Sequence, residues 1–148
     1  MIKRLTPLAP LALVLAVVAC SEPTPAPEPP APAPVPVLGG VQLDQPIRAL
    51  GTEPFWGVDI TPGGLTYSGV DRPEQTAPNP GPVIQGTVAT YTATTTAGTA
   101  LVVTLMATEC SDGMSDRTYP LTARVDIGGE ALNGCAIQSA ALAAMPPA

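Results

Sequence analysis

The sequence predicts an all-β fold: a small antiparallel barrel or sandwich of six to eight strands with one disulfide, behind a disordered proline-rich tether. Three observations predict it. Beyond Gly40 the apolar residues recur with a period of two, not with the helical period. Glycine and proline clusters interrupt that pattern at short intervals, as turns between short strands do. Cys110 and Cys135 remain as an even pair once Cys20 is assigned elsewhere.

Taken in order, Val41, Leu43 and Ile47 suggest a first extended segment, broken by Pro46. Trp56, Val58 and Ile60 alternate with Phe55, Gly57 and Asp59, and Leu65 and Tyr67 continue after Thr61-Pro62-Gly63-Gly64. Proline and glycine stand there where a type II turn wants them, so residues 54–69 read as a hairpin. The stretch from Asp71 to Pro82 carries four prolines and reads as a loop. Thr87 to Thr96 is rich in β-branched residues and reads as a strand, with Ala97-Gly98 as a turn. Thr99 to Thr108 is the most apolar strand and is expected at the centre of the sheet. Cys110 to Thr118 reads as a polar loop. Then Tyr119, Leu121, Ala123, Val125 and Ile127 alternate with polar partners up to Gly128-Gly129, a two-residue hairpin loop. The return strand, Glu130 to Ile137, places Leu132 opposite Val125 and Cys135 opposite Thr122, within reach of a folded-over Cys110. The tail from Gln138 is alanine-rich and suits a frayed helix up to Met145.

The amino end is organised differently. Lys3 and Arg4 precede a short apolar run, Leu11 to Val18, far below the ~20 residues that span a bilayer. This is the build of a secretory signal. Val17-Val18-Ala19-Cys20 resembles the lipobox of bacterial lipoproteins, which implies lipidation of Cys20 as the new first residue. Each buried methylene contributes about 0.8 kcal/mol to membrane binding, so several acyl chains hold firmly. Ser21 in the next position leans toward the outer membrane. Ser21 to Val37 has proline at every second or third position, which favours extended polyproline II and a reach of about 50 Å if stiff. The domain map is therefore signal peptide 1–19, lipidated cysteine and linker 20–38, β domain 39–138 and flexible tail 139–148.

Without residues 1–19 the chain keeps four arginines (Arg48, Arg72, Arg117, Arg124) against all twelve acids, a net charge of −8, with no lysine and no histidine. Such a chain is a poor binder of nucleic acid or of anionic headgroups. The expected partners are the membrane, through the anchor, and peptidoglycan or an envelope protein. In an oxidising compartment Cys110 and Cys135 pair by default, worth about 3 kcal/mol in the chain-entropy model. The lack of histidine removes the commonest general base, and the serines have no lysine or histidine beside them. No cofactor is expected. Asp112-Gly113-Met114-Ser115-Asp116 departs from calcium-loop spacing and reads as a tight turn, so no metal is expected either.

Two stretches concentrate the unusual residues. Arg48 to Trp56 ends in Gly51-Thr52-Glu53-Pro54-Phe55-Trp56, which holds the only Phe and the only Trp. Cys110 to Tyr119 contains Cys110-Ser111-Asp112-Gly113-Met114-Ser115-Asp116-Arg117. With Asn133-Gly134-Cys135, these motifs resemble a family of Gram-negative envelope lipoproteins, over residues of about 47 to 137. Such domains are sometimes joined to META (heat-shock HslJ-like) or lysozyme-inhibitor lipoprotein domains. The resemblance implies a compartment, not an activity.

The candidate binding or loop-locking residues are Glu53, Trp56, Asp112 and Arg117. Trp56 reads as a core anchor whose N–H finds Glu53 or a backbone carbonyl, or as an exposed ring that stacks on a sugar. Glu53 and Arg117 read as an ion pair between two loops, or as two sides of a cleft. The leading expectation is a non-catalytic anchored lipoprotein that binds a ligand or partner or is structural. The alternative is a lysozyme inhibitor, faintly echoed by Ser68-Gly69-Val70-Asp71-Arg72 with Pro73 where an aromatic is expected. Less favoured is a carboxylate glycosidase using Glu53, Asp112 and Asp116.

Overall fold

The computed structural model describes residues 34–146. The signal peptide, Cys20, most of the linker and the last two residues lie outside the described residues. In chain order the strands are β1 (Val37–Leu38), β2 (Val41–Gln42), β3 (Ile47–Thr52), β4 (Phe55–Thr61), β5 (Gly64–Gly69), β6 (Gln75–Ala77) and β7 (Val83–Gln85). They continue as β8 (Val88–Thr94), β9 (Ala100–Met106), β10 (Cys110–Ser111), β11 (Thr118–Tyr119), β12 (Leu121–Ile127) and β13 (Glu130–Gln138), followed by α1 (Ser139–Ala143).

Nine of these strands form one antiparallel sheet in the order β6-β5-β4-β3-β13-β12-β9-β8-β7. The sheet curls into a half-barrel instead of splitting into a sandwich. Strand parity decides which residues go inside. Ile47 and Ala49 of β3, Val58 and Ile60 of β4, and Leu121 to Ile127 of β12 taken alternately all line the concave core and are fully buried. Tyr67, Tyr91, Leu101, Val103 and Leu105 complete it. The β1–β2 hairpin contributes Leu38, Val41 and Leu43 to the same core. Gly39-Gly40, both at positive φ, is the turn of that hairpin. The folded part thus starts at Val37, two residues before the boundary expected at Gly39.

The β12–β13 hairpin has the register read from the sequence, with Val125 opposite Leu132 and Thr122 opposite Cys135. Gly128 and Gly129 hold φ of 58° and 88°, as a two-residue turn with both central φ positive requires. The β4–β5 hairpin also forms, but not with the type II turn expected. Gly63 is not at positive φ; instead the Thr61 hydroxyl accepts from the Gly64 N–H at 3.1 Å. A side chain thereby closes the turn that backbone glycine geometry was expected to close.

Three further expectations are corrected. The middle strand is β13, flanked by β3 and β12, whereas β9 lies between β12 and β8. Apolarity does not rank strands by position here, because the curl buries one face of strands on both sides of the middle, β4 and β5 as well as β9 and β12. The proline-rich loop contains β6, which pairs with β5 through Leu65–Ala77, Thr66–Thr76 and Tyr67–Gln75. The polar loop after β9 contains the short β10–β11 ladder, Cys110 opposite Tyr119.

The open side of the half-barrel is bridged. The Thr96 N–H donates to the Thr76 carbonyl at 2.8 Å, and the Thr95 hydroxyl reaches Gln75 Oε1 at 3.0 Å. Arg72 donates to Asp71 at 2.7 Å and to the Ile127 carbonyl at 3.3 Å, and it also bonds Glu130. Its guanidinium stands 5.7 Å from the Tyr67 ring centre. One arginine therefore ties the segment after β5 to the β12–β13 turn.

Candidate functional site

The convex face carries a second apolar cluster: Tyr119, Cys135 and Ile137, packed by Leu50, Cys110, Leu142 and Met145. It exists because two segments fold back over the sheet. The 107–119 segment is held by the Cys110–Cys135 disulfide, with Cα atoms 5.5 Å apart. The tail is held by α1, whose Leu142 and following Met145 reach the cluster. Ser139–Ala143 thus form the short helix expected in the tail, with Leu142 packed on the cluster where the domain map had a flexible segment over 139–148.

Two adjoining grooves flank these covers and share Leu50, Gly51, Thr52 and Asp112. The larger, about 640 Å³, is walled by Phe55, Val70, Arg48, Arg117, Tyr119 and Leu142 among others. The smaller, about 430 Å³, is lined by Glu53, Cys110, Asp112, Met114, Asn133 and others. Both lie in the size range of small-ligand sites. The two motif stretches therefore meet in space, although Gly51–Trp56 and Cys110–Arg117 are far apart in the chain. The junction is direct: the Thr52 hydroxyl donates to the Asp112 carbonyl at 3.0 Å.

Asp112 organises the second stretch. Its Oδ1 accepts from the N–H groups of Met114 and Ser115 at 3.0 and 2.8 Å. Its Oδ2 accepts from the Ser115 and Tyr119 hydroxyls at 2.7 and 3.0 Å. Gly113 supplies the positive φ, 71°, that the turn needs. The tight turn read from the sequence is present. The Ser115 N–H, followed by the other donors, holds the Asp112 carboxyl well below the usual carboxylate range. Burial pushes the Tyr119 phenol up, and its bond to Asp112 adds to that shift.

Trp56 is a core residue, 4% exposed, and not a surface platform. Its ring lies across two glycines. A Cβ on Gly51 would stand 2.1 Å from Trp56 Nε1, and one on Gly134 would stand 2.9 Å from the ring and 2.0 Å from the Leu50 carbonyl oxygen. The indole N–H has no hydrogen-bond partner among the described residues, so neither Glu53 nor a carbonyl takes the role expected for it. The exposed aromatic is Phe55, with Val70 beside it: the Val70 N–H donates to the Phe55 carbonyl at 3.2 Å, and the two residues are 55% and 75% exposed.

The ion pair expected between Glu53 and Arg117 is absent among the described residues, where the pairs are Arg48–Asp59, Arg72–Asp71, Arg72–Glu130 and Arg124–Asp126. Arg117 instead bonds the Pro146 carbonyl and so pins the tail. Thr52 provides the loop lock in place of that pair. Glu53 is exposed on the rim of the smaller groove. Arg48, not singled out from sequence, lies over Gly57 and reaches Asp59 at 2.6 Å. Strand parity was the available signal for Phe55: if Trp56 points in, its neighbour points out. Arg48 and Val70 lay in stretches noted from the sequence, but their roles depend on which strands become neighbours. Among the described residues no cluster of acidic or cysteine side chains suits a metal ion.

No family model, curated protein or solved structure matches this chain.

Proposed function

We propose that the protein is a lipid-anchored envelope lipoprotein, most favoured at the outer membrane, whose β domain is a non-catalytic binding module. The anchor reading is carried by Val17-Val18-Ala19-Cys20 and by the proline-rich segment that follows. The binding reading is carried by one observation: the Phe55–Val70 groove has exposed apolar walls while its central carboxylate is engaged in holding a turn. Asp112 accepts four hydrogen bonds, and they depress its pKa. That shift unsuits Asp112 for the acid of a glycosidase pair, whose pKa must be raised. The occupant of the groove is a ligand or partner of the envelope.

The lysozyme-inhibitor alternative draws less support. It calls for a projecting basic residue after Ser68-Gly69, and Arg72 is occupied by Asp71, Glu130 and Ile127. Inhibition of cell-wall lysis at near-stoichiometric amounts, weakened by Arg72→Ala, would restore it.

The test has two arms. Intact mass measurement of material from the native host should find Cys20 acylated at the mature amino terminus; an unmodified thiol there removes the anchor reading. A photo-crosslinker at Val70 should capture a partner or glycan from intact envelopes, and Phe55→Ala should reduce the yield at least about ten-fold, as loss of a central anchor does. Equal capture by both forms removes the groove as the binding site.

A further inference from the structure

From Gln75 to Thr108 no residue carries a charge, although Glu74 and Glu109 bound the stretch on either side. That stretch is β6, β7, β8 and β9. Its outward residues on β7 to β9 are Val83, Gln85, Val88, Thr90, Thr92 and Val102, partly or fully exposed. The rest of the mature chain carries all twelve acids and four arginines.

This neutral region ends in an open sheet edge. Of the two edges of the nine-stranded sheet, β6 is met by the Thr96 N–H. Beyond its ladder with β8, the β7 backbone makes no hydrogen bond among the described residues. Val83 and Ile84 are 62% and 42% exposed. Proteins usually guard such an edge with lysine, another charge or an inward-pointing polar group. Here the guard is only brevity, with Pro82 before the strand and Gly86 after it.

We propose that β7 is a homotypic interface, on which the β7 strand of a second copy of this chain pairs antiparallel across a two-fold axis at Ile84. Charge selects the occupant. Two copies at a net −8 each repel across most of their surface, and their uncharged faces are where they approach at least cost. Geometry selects the register. Gln85 and Val88 close a two-residue hairpin, and pairs alternate from there, so Ile84 turns its N–H and C=O away from β8. With Pro82 and Gly86 as limits, Ile84 faces Ile84 and Val83 faces Gln85 of the second copy. A strand this short pairs weakly in dilute solution, and copies confined to one surface pair far better.

The test places single cysteines in the full chain, expressed in its host, and treats intact envelopes with a mild oxidant. A cysteine on each strand at a directly opposed position lies within disulfide reach. Ile84→Cys should give roughly ten-fold more covalent dimer than Val70→Cys, which is more exposed but lies away from the edge. Val83→Cys and Gln85→Cys should crosslink when expressed together more strongly than either does alone. Equal amounts of secreted protein, each retaining the Cys110–Cys135 bond, show that the variants fold. Ile84→Cys dimers no more abundant than Val70→Cys dimers would overturn the proposal. So would a crosslinked product whose mass is not twice that of the chain, which would assign the edge to a different protein.

Discussion

Asp112 shows how one side chain builds the candidate site. Its four hydrogen bonds favour the charged form, so its folded pKa lies below the unfolded value near 4. The linked stability is therefore present above that value and is lost as pH falls through the folded pKa. Asp112→Asn should lower the melting temperature at pH 7, and its deficit against the parent protein should shrink as pH drops below about 4. Thermal melts across that range check it; a deficit independent of pH would assign the effect to lost shape, not lost charge. Gly51 makes a second point. A side chain there meets the Trp56 indole, with no flexible group to yield. Gly51→Ala should cost about 3 kcal/mol in a denaturant titration, near the upper end for overpacking.

At the scale of elements, the site depends on covers laid over the convex face. The disulfide joins residues 25 apart in sequence, and the segment it holds also carries Asp112 and Tyr119. Replacing both cysteines by serine should remove about 3 kcal/mol of stability. It should also loosen the 110–119 segment, read as faster amide exchange at Met114 and Ser115 with β12 and β13 unchanged. The Arg72 latch acts on the other side of the sheet. Its guanidinium is largely covered, and its pKa is raised by Asp71 first of all. Arg72→Ala should cost about 1 kcal/mol, more than an exposed pair, because the cation–π contact and the carbonyl bond go with it.

At the scale of the whole molecule, the point where the chain enters the fold is set apart from the grooves. The β1–β2 hairpin, where the chain enters the fold, bonds Gln138 next to Ile47; the grooves lie toward Thr52 and Phe55, at the other end of β3 and β4. The entry point at Val37 and the grooves are thus on different ends of these strands. Cys20→Ser should move the protein from the membrane fraction to the soluble fraction without changing its melting temperature. A coincident loss of stability would give Cys20 a role inside the fold.

Period-two patterning and turn residues were legible because they are local. Val125 faces Leu132 for reasons contained in Gly128-Gly129 and the strands beside it. The disulfide was legible by elimination: with Cys20 read as the lipidation site, Cys110 and Cys135 have one way to pair. The same local rule puts Phe55 outside only after Trp56 is known to be inside, and that the sequence left open. What stayed hidden needed neighbours from elsewhere in the chain. Pairing of β3 with β13 brings Gly51 and Gly134 under one indole, and no spacing rule relates those positions. Arg117 and Glu53 looked complementary by charge, but the tail and the Thr52 hydroxyl occupied those places first. Sequence alone determined the long strands, their faces and the Gly128-Gly129 turn, because side-chain alternation and turn stereochemistry act within a few residues. Only the tertiary structure decided the sheet order, the closure by Arg72 and the grooves, because each depends on chain segments meeting across a curl whose radius no single strand encodes.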